Sequence, residues 1–167
     1  MKNIIKITAA VAMITAVLTG CAGKKIPDNW YNKTLDYYSE GLSNNWANER
    51  DDLDVSEEMK DSSNKFGYYL KDLDGDGTDE LLIGIIDDLA ETRFIDLYIW
   101  HSDIGSFRIL HAGDDYYIYL CENNIIRMDS WHGSTPEIRY FKYDSGNNSF
   151  HVLDTESKTL KVELTPF

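Results

Sequence analysis

Hydrophobic positions along this 167-residue chain change their period twice, and each change marks an element. Positions 7–18 form an apolar run behind Lys2 and Lys6, too short for a stable membrane span, and lead into Leu18-Thr19-Gly20-Cys21. That order predicts an export signal over 1–20, with 21–27 as a tether. Next, Tyr31, Leu35, Tyr38, Leu42 and Trp46 recur at steps of three and four, which makes one apolar stripe on a helix over 28–48. Asp28 can cap this helix, and Pro27 stops any earlier one. Gly41 weakens it by about 1 kcal/mol relative to Ala, so packing against a sheet must hold it. From 48 to 64 the pattern fades into polar and acidic residues. This stretch reads mainly as a mobile connection, with a short helical piece over 55–60.

Beyond Phe66 the pattern is that of strands. Segments 66–70 and 81–86 flank an acidic loop, and three further pairs follow: 94–101 with 106–111, 116–121 with 125–129, and 137–143 with 149–153. The connections are short and rich in Gly, Asn, Asp and Ser; Asn123 and Asn124 suit positive φ. A last strand is expected over 159–164. Parallel strands would need long crossovers, so short connections imply an antiparallel meander. The expected fold class is α+β: a single domain over 28–167, with an N-terminal amphipathic helix packed on an antiparallel β-meander sheet.

Composition sharpens this picture. The net charge is −13, and loss of 1–20 with Lys2 and Lys6 takes it to −15. Such a surface repels nucleic acid and anionic headgroups and favours cations and basic partners, although exported proteins commonly carry solvated acids. Cys21 and Cys121 are the two cysteines, too few for a disulfide framework. Cys121 lies in a strand pattern and is expected to be a buried, unreactive thiol.

The densest chemistry is Asp72-Leu73-Asp74-Gly75-Asp76-Gly77-Thr78-Asp79-Glu80. Alternating Asp72, Asp74 and Asp76 can aim three carboxylates at one point, Glu80 can return a fourth, and the Thr78 carbonyl can add a backbone oxygen. Crowded anions are costly without a cation, and hard oxygen donors suit Ca²⁺. Gly75 and Gly77 permit the positive φ of a tight loop. A solvated acidic turn would use the same residue types. An EF-hand requires Glu at position twelve and flanking helices, whereas this chain has Ile83 there and strand-like flanks.

Between two strands, the loop resembles the calcium-binding hairpin of FG-GAP/VCBS-type blades, D-x-D-x-D-G-x-x-D/E. The resemblance covers about twenty residues and implies ligands at Asp72, Asp74, Asp76, the Thr78 main chain and Glu80. With no second copy, it does not imply a propeller. Leu18-Thr19-Gly20-Cys21 resembles a bacterial lipobox, which implies that Cys21 is lipidated, becomes the mature amino terminus and anchors the protein outside the cytoplasm. A lipid on Cys21 would leave Cys121 without an intrachain partner.

Catalytic patterns are sparse. His101, His111, His132 and His151 are scattered without zinc spacing, and neither a G-x-S-x-G elbow nor a phosphate-binding glycine loop occurs. Trp131-His132-Gly133-Ser134-Thr135 is the most reactive-looking stretch, though the better reading is a polar turn pinned by Trp131. Eleven Tyr and four Trp could hold sugars or peptides on a sheet face, although the preferred reading is that one face is core and the other partly covered by the helix. Two functions follow from different classes. One is a non-enzymatic lipoprotein with a structural calcium loop, binding an envelope protein or glycan and no nucleic acid. The alternative is a small envelope hydrolase using His132 and nearby acids.

Overall fold

The computed structural model describes residues 30–47, 55–113, 116–131 and 135–167 of the chain. Antiparallel strand is the dominant regular structure among them, with few helices. Strand β1 (Lys65–Lys71) enters the acidic loop and returns as β2 (Glu80–Ile86), paired in register from Lys65↔Ile86 to Lys71↔Glu80. β3 (Arg93–His101) lies on the other edge of β2. There the sheet branches. β4 (Gly105–His111) pairs with Asp96 to His101, whereas β5 (Tyr116–Cys121) takes Arg93 and Phe94 farther back along β3. β4 is too short to cover all of β3, and the uncovered end becomes the place where the sheet continues. β6 (Ile125–Trp131), β7 (Pro136–Asp144) and β8 (Ser149–Leu153) follow as hairpins, and β9 (Thr165–Pro166) returns to β1. Among the described residues the order is β8-β7-β6-β5-β3-β2-β1-β9, with β4 branching from β3.

β2 and β3 are nearly continuous apolar runs because both of their faces are buried. Leu81, Ile83, Ile85 and Ile95 pack with Tyr31, Tyr38, Trp46, Val55 and Met59 from the helical side. Leu82, Phe94, Leu97 and Ile99 face the other way and meet Ile118, Leu120, Ile126 and Tyr143 from β5, β6 and β7. Strands that are distant in the sheet order therefore share one core, which requires the sheet to curl. Helix-on-sheet α+β architecture describes the arrangement in broad terms.

Helix α1 (Asn32–Ser43) is shorter than the expected 28–48 span. Pro27, Asp28 and the signal and tether over 1–27 lie outside the described residues; Tyr31 stands at the cap position without a side-chain cap bond. Trp46 does not continue the helix. Asn45 and Trp46 adopt φ of 51° and 57°, and the Trp46 N–H donates to the Gly41 carbonyl at 2.7 Å. The chain therefore folds back, and the Trp46 ring lies on Gly41, whose added Cβ would come within 2.3 Å of it. Trp46 Nε1 donates to the Met59 carbonyl at 3.0 Å, which joins α1 to the short helix α2 (Glu57–Lys60). With Val55 and Met59 in the core, the connection expected to be mobile is anchored from residue 55 onward; 48–54 lie outside the described residues.

The strand expected over 159–164 is replaced by a crossing segment. Thr159 makes a single bridge to Cys121, Leu160 N–H donates to the Leu120 carbonyl, and Thr92 N–H donates to the Leu160 carbonyl. The segment meets β5 and the start of β3 in turn, so no one partner offers it a ladder. Among the described residues no helix is long and apolar enough to cross a membrane.

Candidate metal site

The acidic loop is built where β1 and β2 part, so its two ends are held by the register of Lys71 against Glu80. Leu73 points inward, 1% exposed, and anchors the loop in the core shared with β5–β7. Gly75 and Gly77 have φ of 85° and 87°, a region that costs other residues strain. Turning at these glycines brings backbone donors onto the aspartates. Asp72 accepts from Gly75 N–H at 2.7 Å and Gly77 N–H at 3.0 Å, Asp74 Oδ1 from Asp76 N–H at 3.1 Å, and Asp76 Oδ1 from Thr78 N–H at 2.6 Å.

Asp72, Asp74 and Glu80 each place a carboxylate oxygen within 4.8 Å of the others. Asp76 and Thr78 lie on the same loop outside that group. Glu80 is only 3% exposed, and its Oε2 accepts the Leu73 N–H at 2.7 Å. Burial pushes its carboxyl up to about 8; the Leu73 hydrogen bond opposes this, and the charges of Asp74, Asp76 and Asp72 add to it. Glu80 is thus a buried acid that holds its proton at neutral pH unless a cation replaces it. Three converging carboxylates, with further oxygens on the loop, form a donor set that fits a hard cation such as Ca²⁺.

Three distant segments reach this loop. Tyr31 Oη donates to the Asp79 carbonyl at 3.0 Å, Asn124 Nδ2 to the Asp72 carbonyl at 2.8 Å, and Ser145 N–H to Asp74 Oδ2 at 2.9 Å. Sequence reasoning found the loop but not these contacts, because each joins residues far apart in the chain.

His132 and Ser134 lie outside the described residues. The other three histidines sit apart: His101 accepts from Asp103 N–H, exposed His151 meets Asp144, and His111 meets Asp96. Cys121 is fully buried, and burial pushes its thiol up to about 11, where it is a poor nucleophile.

A second polar cluster escaped sequence reasoning. Asp96 is 1% exposed and accepts from Tyr38 Oη at 2.5 Å and Arg108 Nη1 at 3.3 Å, with His111 Nδ1 at 2.8 Å. Burial, reinforced by Asp96, raises the Tyr38 hydroxyl well above its ordinary value and Tyr98 to about 12. The cluster ties α1 to β3 and β4, with Asp96 and Tyr38 buried and Arg108 and His111 partly exposed at its edge. Its one visible signal was an Asp interrupting the apolar run from Phe94 to Trp100.

No protein family, curated protein or solved structure matches the chain.

Proposed function

We propose that this protein is an exported lipoprotein, held at the envelope membrane through acylated Cys21, whose extracytoplasmic domain is a non-enzymatic binding module clamped by Ca²⁺. The clamp takes Asp72, Asp74, Asp76, the Thr78 main-chain oxygen and Glu80 as ligands. Its amphipathic N-terminal helix lies on a β-meander and offers the sheet a covered face, leaving other surfaces for an envelope protein or glycan. The convergence of Asp72, Asp74 and buried Glu80 carries the calcium part of this reading, because a cation among them offsets the aspartate charges and takes the place of the proton that burial keeps on Glu80. Bound Ca²⁺ supplies the positive charge that ties the end of β1 to the start of β2. Lacking an EF-hand's twelfth-position Glu, the loop is expected to bind in the extracellular-module range, about 10⁻⁴–10⁻³ M.

Thermal melting with calcium, magnesium or chelator tests the reading. At tenfold above the dissociation constant, calcium stabilises the fold by about 1.4 kcal/mol through linkage. Asp74→Ala combined with Asp76→Ala abolishes the gain and leaves the fold intact. A parent protein whose melting temperature ignores calcium would leave the segment an acidic turn.

A further inference from the structure

We propose that the β7–β8 hairpin is part of the metal clamp: the Ser145 N–H positions the Asp74 carboxylate, so metal occupancy and hairpin docking are linked. This rests on the calcium reading of the acidic loop. Of the three converging carboxylates, Asp72 and Glu80 are oriented by backbone donors inside the loop, from Gly75, Gly77 and Leu73. Asp74 is held from two sides. Its Oδ1 accepts from Asp76 within the loop, and its Oδ2 accepts from Ser145, 71 positions away. Each oxygen keeps a lone pair for a metal, while the two donors set the direction in which the carboxylate points. Donors of this kind, behind a ligand rather than on the metal, govern affinity by fixing ligand orientation.

The hairpin is constructed to hold that donor in place. Asn147 N–H donates to the Asp144 carbonyl at 3.3 Å, and the Asp144 side chain accepts from Gly146 N–H and Asn147 Nδ2, both at 2.9 Å. Beneath the turn, Tyr143 is 2% exposed and packs on Phe150 with ring centroids 5.4 Å apart. β6, β5 and β3 separate β7 from β2 in the sheet order, so the Ser145–Asp74 bond spans the curl of the sheet. A cleft of about 490 Å³ runs between loop and hairpin, lined by Asp74, Asp76, Tyr143, Asp144 and His151 among others. Coupling between sites is reciprocal: a docked hairpin strengthens metal binding, and bound metal holds the hairpin and this cleft in place.

Calcium titration calorimetry on the parent, Ser145→Pro and Ser145→Ala tests the link. Proline removes the N–H yet suits the second position of the Asp144–Asn147 turn, and alanine keeps the N–H. Ser145→Pro is expected to raise the calcium dissociation constant roughly 10–100-fold, with Ser145→Ala binding like the parent. Hydrogen exchange supplies a readout that needs no variant: calcium should slow exchange of the Ser145 amide in the parent. If the parent binds calcium but Ser145→Pro binds equally well, or the Ser145 amide ignores calcium, the link is refuted and the clamp stands. A parent that takes up no calcium refutes the clamp and the link together.

Discussion

Glu80 shows what a single buried acid does to stability. Its carboxyl is raised from 4.5 to about 8, so between those values the metal-free folded protein holds a proton that the unfolded chain has released. Its contribution is therefore fully present below about pH 4.5 and is lost as pH rises through about 8. The slope is at most about 1.4 kcal/mol per pH unit. Metal-free protein is expected to melt at a higher temperature at pH 5 than at pH 8, with Glu80→Gln flattening that dependence. Calcium should reverse the trend, because a bound cation favours the ionised carboxylate. Urea midpoints across pH, with chelator and with calcium, check the sign; a metal-free parent no less stable at pH 8 than at pH 5 would overturn this account. The acidic character of the loop was legible from residue types, whereas the burial of Glu80 depended on Leu73 and β2 entering the core.

Among the elements, α1 carries the sharpest reversal of local reasoning. Gly41 looked like a defect that Ala would repair by about 1 kcal/mol of helix propensity. In the fold it is the slot for Trp46, and an added Cβ would fall 2.3 Å from the indole ring. Overpacking of this kind typically costs about 1–3 kcal/mol, which exceeds the propensity gain. Gly41→Ala is therefore expected to lower stability, read as a lower urea midpoint with unchanged slope; a stabilised variant would mean the ring moves aside freely. The strand pairs, by contrast, were legible because short turns restrict the register. Asn123 and Asn124 adopt φ of 60° and 57°, as their side chains permit. The 159–164 segment misled because an apolar alternation says that a strand could form, not that a partner edge is free for it.

At the scale of the whole molecule, the proposed address and the domain are separable. The anchor would hold through acyl chains buried in the bilayer, so the acidic domain need not touch lipid. Cys21→Ala is expected to abolish lipid labelling and to release the protein from membranes or leave the precursor unprocessed. Unchanged labelling and fractionation would refute the lipoprotein reading. The same substitution should leave calcium-dependent melting of the domain unaltered, since Cys21 and the loop lie in different segments.

What the chain determined by itself is whatever depends on neighbours in sequence: the period of its apolar positions, the antiparallel hairpins, and a loop in which alternating aspartates and two glycines invite a cation. Tertiary structure decided what depends on residues far apart. It placed β4 and β5 on one edge of β3, closed the curl through the Ser145–Asp74 bond, seated Trp46 on Gly41 and enclosed Asp96 with Tyr38, Arg108 and His111. Local patterns restrict φ, ψ and side-chain direction over a few residues. Whether an acid is buried, or a glycine is a gap, depends on which distant side chain arrives there.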